Sequence, residues 1–180
     1  MSLRHALLAA IHETAATGYE LNQRFEERLS HVWSASHQQI YRELARLETQ
    51  GLLVVEIQPQ AGKPDRKHYA ITAAGIEALR DWLGAVQARP AVRDPLLLKC
   101  FAGDLTPTPA LLKELAVHEQ TWRREQAIYR QIEARYFSVP PSLSRHYRMQ
   151  YLALRRGLLD IESWLVWAGE VRAMLEQGDG

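Results

Sequence analysis

Between Ser34 and Thr72 the hydrophobic period of the chain changes, and this change constrains the fold more than any other feature. Ile40, Leu44 and Leu47 recur at four- and three-residue spacing, so they share one stripe of a helix. Gly51 follows, where a helix C-terminus favours a left-handed residue. Leu52 to Gln58 reads LLVVEIQ, rich in branched side chains and too short for a helix, and predicts a strand. Pro59 to Arg66, PQAGKPDR, holds two prolines and a glycine and predicts a turn. Lys67 to Ile71 alternates apolar and polar residues and predicts the returning strand.

Helical patterns flank this hairpin. Ser2 is an N-cap candidate, and Leu3, Leu7, Ala10 and Ile11 form the stripe of a first helix. Thr17-Gly18 breaks it, and Tyr19, Leu21, Phe25, Leu29 and Val32 mark a second. Ser34 or Ser36 caps the third, and Thr72 caps a fourth that turns Ile76, Leu79, Trp82 and Leu83 inward. Helix, helix, helix, strand, strand, helix within about 85 residues is the order of a winged helix-turn-helix. Residues 1–86 are therefore expected to form one, with the hairpin as wing and helix three as recognition helix. The same order also describes a small α+β domain with no nucleic-acid role, since a fold does not fix a function.

Residues 87–107 read as a linker with a short apolar helix, LLLKCF, opened by Asp94 as N-cap and Pro95 at the first helical position. Two long helices are predicted after it, about Thr108 to Phe137 and about Ser142 to Glu176, joined at Ser138-Val139-Pro140-Pro141. The last carries Tyr147, Tyr151, Leu154, Leu158, Ile161, Leu165 and Ala168 at alternating four- and three-residue spacing, a coiled-coil seam. A weaker row runs through Leu111, Leu115, His118, Trp122, Glu125, Tyr129, Ile132 and Tyr136. The two rows could pair within one chain as a hairpin. Leu159, Trp164, Trp167 and Val171 extend the apolar surface beyond one stripe, however, which points to a second copy. Residues 108–180 are thus expected to form an antiparallel coiled-coil dimerisation region, with Tyr147, Tyr151, Leu154, Leu158, Ile161 and Leu165 in the seam. The fold class expected overall is mainly α with a small β wing.

The chemistry sits on helix three and the turn. With Ile40, Leu44 and Leu47 inward, a step of about 100° per residue puts Gln38, Arg42, Ala45 and Thr49 on the opposite face. A Gln amide suits adenine and an Arg fork suits guanine in the major groove. Tyr41 and His37 lie on one flank, and Gln39 and Arg46 on the other. A Tyr41 hydroxyl would lie at phosphate height. The opposing reading is a solvated helix face, and Glu43 and Glu48 would repel phosphate if they pointed at it. Gly62 to His68 carries three fixed positive charges and one negative on a Gly-Lys-Pro tip, suited to phosphate or the minor groove. Gly62-Lys63 is no nucleotide-binding loop, because Ile57 stands where its first glycine should be and Pro64 where Ser or Thr is required.

Composition narrows the alternatives. Twenty-two Lys and Arg against 21 Asp and Glu leave a net charge of +1, so a polyanion would have to be met by a local patch. A single cysteine, Cys100, excludes an intramolecular disulfide framework and a cysteine-based zinc site. The apolar run from Ala6 to Ile11 is shorter than a signal-peptide core, and no run of 18 apolar residues occurs. A cytoplasmic protein without membrane contact is expected. No catalytic motif of the dinucleotide-binding, zinc-protease or serine-hydrolase kind is present, and the seven histidines are unpaired. No enzyme activity, cofactor or metal is therefore expected.

ATGYEL (Ala16 to Leu21), WSASHQQIYREL (Trp33 to Leu44), LETQGL (Leu47 to Leu52) and GKPDRKHYAITAAG (Gly62 to Gly75) together resemble the PadR family of bacterial transcription regulators. The likeness is to its AphA-like virulence-regulator subgroup. It spans nearly all of residues 2–85 and continues more weakly through VRDPLLLK and the long helices. It implies a homodimeric, winged-helix protein that binds double-stranded DNA. Ser36, His37, Gln38, Gln39, Tyr41 and Arg42 would face that DNA, and Lys63, Arg66 and Lys67 would be the wing cations. Ala61 stands where the subgroup tends to carry an acid, which leaves this wing slightly more basic. Two other classes stay open. One is a winged-helix protein-interaction module. The other is a small-molecule sensor, phenolic or drug-responsive, with Trp82, Trp122, Trp164 and Trp167 as candidate lining residues and an unknown effector.

Overall fold

A computed structural model describes residues 3–29, 33–59, 65–88, 91, 93–139 and 143–177. The chain forms two compact units, Met1–Arg89 and Pro90–Gly180.

In the first unit α1 (Leu3–Glu13) is followed by a two-residue strand β1 (Ala16–Thr17), α2 (Gly18–Arg24) and α3 (His37–Thr49). Strands β2 (Leu53–Gln58) and β3 (Arg66–Ile71) form the hairpin, and α4 (Ala73–Gly84) closes the unit. Two reciprocal caps start the inner helices. Thr17 Oγ1 accepts the Glu20 N–H at 3.2 Å while the Glu20 carboxylate accepts the Thr17 N–H at 2.7 Å. Ser36 and Gln39 repeat the arrangement on α3, so Ser36 is its cap. Gly51 ends α3 at φ +70°, a conformation that glycine adopts freely. The sheet is antiparallel in the order β1-β3-β2, with Leu53 opposite Ile71 and Gln58 opposite Arg66.

The core of this unit joins its helices to the sheet. Leu7, Leu8, Ile11, Leu21, Ile40, Leu44 and Leu47 are fully buried, with Leu53, Tyr69 and Leu79 covering them from the sheet and α4. Each buried side chain of this size contributes about 1.5–3 kcal/mol. Three expectations change. The second helix gives way after Arg24 to a π-helical turn, Phe25–Leu29, and Val32 lies outside the described residues. β1 is additional, formed where Ala16 and Thr17 meet the free edge of β3 at Tyr69 and His68. Leu83 faces solvent at 65% exposure, because the inward stripe of α4 ends at Leu79 and Trp82.

In the second unit α5 (Pro95–Phe101) is followed by a 3₁₀ turn (Gly103–Leu105), α6 (Thr108–Tyr136) and α7 (Arg145–Gln177). Near one end Leu111 and Leu115 of α6 pack with Ala168 of α7 and Leu96 of α5. Near the other, Ile132 and Phe137 pack with Leu154 and Leu158. The start of one helix thus meets the end of the other, an antiparallel pair. The predicted seam lies in this pair: Leu154, Leu158, Ile161 and Ala168 are at 0–1% exposure within one chain. Tyr151 and Leu165 are half-buried, and Tyr147 is exposed. Trp164, Trp167 and Val171 are partly covered by the cluster to which α5 contributes Leu96 and Cys100. Leu154, Leu158 and Ile161 thus close the hairpin within one chain, while Tyr147, Tyr151 and Leu165 keep solvent-accessible surface.

Candidate nucleic-acid interface

The capping box of α3 fixes how its exposed faces are presented. Ser36 Oγ receives the Gln39 N–H and Gln39 Oε1 receives the Ser36 N–H at 2.8 Å, so both side chains are engaged in starting the helix. Gln38 and Arg42 follow one turn apart on the face opposite Leu44. Both are exposed and have no hydrogen-bond or ion-pair partner among the described residues. Two donor-rich side chains held on a rigid helix but unengaged are suited to read an external pattern of donors and acceptors.

Beside this face, towards the wing, lies a cleft of about 300 Å³ lined by Gly18, Tyr41, Asp65, Arg66, Lys67 and Tyr69 among others. Tyr41 reaches it from α3, 43% exposed, with its ring 5.2 Å from that of His37. Gly18 makes room for that ring: a Cβ there would lie 2.5 Å from Tyr41 Cε1. Tyr69 is buried beneath, and burial pushes its phenol up, so it stays a protonated donor. Arg66 and Lys67 are the first two residues of β3, exposed at the turn end of the hairpin. Lys63 lies outside the described residues.

Of the carboxylates near this face, Asp65 lines the cleft itself, whereas Glu43 and Glu48 are each next to a cation. Glu43 is partly buried, 4.0 Å from Arg46. Glu48 stands two turns beyond Tyr41 on the same flank, and its two oxygens accept hydrogen bonds from Lys67 Nζ at 3.2 and 3.0 Å. That hydrogen bond raises the Lys67 ammonium above its usual range and keeps it charged. The ion pair joins residues 19 positions apart and was not visible as a spacing. The cap at Thr17, which sequence reasoning read only as a break, has a Thr-x-x-Glu spacing that signals it. Glu20 is held below the usual carboxylate range chiefly by the Thr17 backbone N–H.

The remaining candidates are dispersed. Trp82 stacks on His5 at 4.5 Å in the first unit, whereas Trp122, Trp164 and Trp167 cluster in the second. Cys100 is partly buried, and burial pushes its thiol up, away from the reactive thiolate. No group of three metal-ligating side chains occurs among the described residues, and no described helix is long and apolar enough to cross a membrane.

Residues 7–81 match the Transcriptional regulator PadR-like family, and residues 92–176 match Virulence activator alpha C-term. A probable transcriptional regulator of Mycobacterium tuberculosis is 32% identical over 98% of this chain and 99% of its own. The negative transcriptional regulator PadR of Bacillus subtilis is 30% identical over 97% and 98%. Among solved structures, the Vibrio cholerae virulence activator AphA aligns with a TM-score of 0.82 at 35% identity, over 98% of this chain and 99% of its own. Bacillus subtilis PadR in complex with operator DNA aligns at 0.80 and 25% identity, over 96% and 98%.

Proposed function

Because this chain belongs to the PadR-like family of transcriptional regulators, we propose that it regulates transcription as a homodimer bound to an inverted-repeat promoter site. Each subunit lays α3 in a major groove, where Gln38 and Arg42 read base edges. Tyr41, Arg66 and Lys67, with Lys63 on the wing, take the backbone beside it. The observation that carries this reading is the Gln38–Arg42 pair, without a partner among the described residues, next to the cleft lined by Tyr41, Tyr69, Asp65, Arg66 and Lys67. The Bacillus subtilis relative solved in complex with operator DNA supports DNA binding by this chain.

A second copy is met through α7. Leu152, Leu159 and Val166 are exposed at 58, 49 and 64% and stand seven residues apart, one face of the helix left uncovered. A two-fold pair built there presents two recognition helices to half-sites one or two helical turns apart.

The test is selection of bound genomic fragments, followed by affinity measurement on the recovered site and on a scrambled duplex. Arg42→Ala is expected to cost about 1–3 kcal/mol on the recovered site and to relax discrimination at one base pair. An equal loss on both duplexes would make Arg42 a backbone contact, and no selective recovery of DNA would overturn the reading.

A further inference from the structure

The exposed cations of the candidate interface differ in one respect. Arg42 has no partner among the described residues, whereas Lys67 is already held by a carboxylate of the same helix α3. Glu48 is on the Tyr41 flank, so its oxygens and a backbone phosphate approaching the cleft compete for one ammonium. The pair is open to water, with side-chain exposures of 50% for Lys67 and 34% for Glu48. An ion pair this exposed contributes little to stability, so it can be exchanged without unfolding the wing.

We propose that Glu48 is a specificity-determining residue, which occupies Lys67 until a phosphate fixed in register by the α3 base contacts displaces it. This rests on the proposed DNA-binding function. On non-cognate DNA no phosphate is held in that register. Lys67 stays on Glu48, releases no counterion and adds nothing to affinity. On the cognate site the base contacts place a phosphate within reach, and the ammonium transfers to it. Glu48 thereby suppresses the sequence-independent electrostatic binding that every exposed cation otherwise promotes.

The experiment measures affinity across a salt series for wild type, Glu48→Gln, Lys67→Gln and the double variant. The probes are a scrambled duplex and the fragment recovered by selection. Glutamine keeps the size of Glu48 but not its charge. On the scrambled duplex Glu48→Gln is expected to steepen the log–log salt slope by about 0.9, which is about fivefold tighter binding at 0.15 M salt. On the recovered fragment the change is expected to be smaller, so the ratio of the two affinities falls. In the Lys67→Gln background the effect of Glu48→Gln is expected to shrink to the relief of carboxylate–phosphate repulsion alone. Weaker binding of Glu48→Gln to both duplexes would make the pair a brace for the wing and overturn the proposal. So would equal tightening on both, no change on either, or a tightening of the same size with and without Lys67. Wild type that binds neither duplex would overturn the DNA-binding reading itself, a result separate from any of these.

Discussion

Leu158 and Leu159 are chemically identical neighbours on α7, and the fold assigns them opposite tasks. Leu158 is at 0% exposure in the cluster with Ile132, Phe137 and Leu154, whereas Leu159 is 49% exposed on the uncovered face. Leu158→Ala removes three methyl-sized groups from a filled site, at about 3 kcal/mol, the low end of the range for fully buried leucines. Leu159→Ala removes half-solvated surface, at about 1 kcal/mol or less within one subunit. With a urea slope of about 2 kcal/mol per molar, Leu158→Ala is expected to lower the unfolding midpoint of the second unit by about 1.5 M and Leu159→Ala by under about 0.5 M. The fluorescence of Trp122, Trp164 and Trp167 reports this unit, and circular dichroism follows its helices. Subunit association changes the comparison in a diagnostic way. If Leu159 lies between two copies, its loss grows with protein concentration, because dimerisation stabilises by mass action. The loss from Leu158→Ala is present at every concentration. Sedimentation completes the test: Leu159→Asp is expected to give folded monomers, and Leu158→Asp a second unit with lost helix. Equal midpoint shifts for the two alanine variants, or folded monomers from Leu158→Asp, would refute the assignment of Leu158 to the hairpin interior.

Gly75→Ala would bring a Cβ well inside van der Waals contact of the Leu52 carbonyl oxygen, which is backbone and cannot swing aside. Overpacking of this kind costs about 1–3 kcal/mol, and a thermal melt is expected to shift down by roughly 10 °C; an unchanged melt would show that α4 has room to move. Glu20 has its folded pKa held below the ordinary value near 4.5, chiefly by the Thr17 N–H, so the stability it adds is present above that value and is lost as pH falls through the folded pKa. Wild type is therefore expected to exceed Glu20→Gln in thermal stability near pH 7, with the gap closing in acid. A gap constant down to pH 3 would refute the charge-assisted cap.

Local chemistry was enough for much of this protein. The period of Ile40, Leu44 and Leu47 determined both the existence of α3 and the exposure of Gln38 and Arg42, because a helix presents residues at fixed angles whatever it packs against. The branched run before the Gly- and Pro-containing turn determined the hairpin, because branched side chains favour a pleated strand and Gly and Pro favour a turn. Asp94-Pro95, Gly51 and Thr72 marked element ends through backbone groups that lie within a few residues of them.

What tertiary structure alone decided involves partners distant in sequence. Glu48 and Lys67 are ordinary surface charges until the hairpin folds back over the end of α3. The two residues of β1 have no pattern of their own and become a strand because the edge of β3 offers unpaired N–H and C=O groups. The seam of α7 is the clearest case. A row from Tyr147 to Ala168 and a row through Leu152, Leu159 and Val166 are both apolar and both helically spaced. Periodicity says that each must be covered, but not by what. Leu111, Leu115 and Ile132 of α6, with Phe137 just after it, bury Leu154, Leu158 and Ala168 of the first row, and a side chain already without solvent contact has no surface left for another subunit, whereas Leu152, Leu159 and Val166 stay exposed.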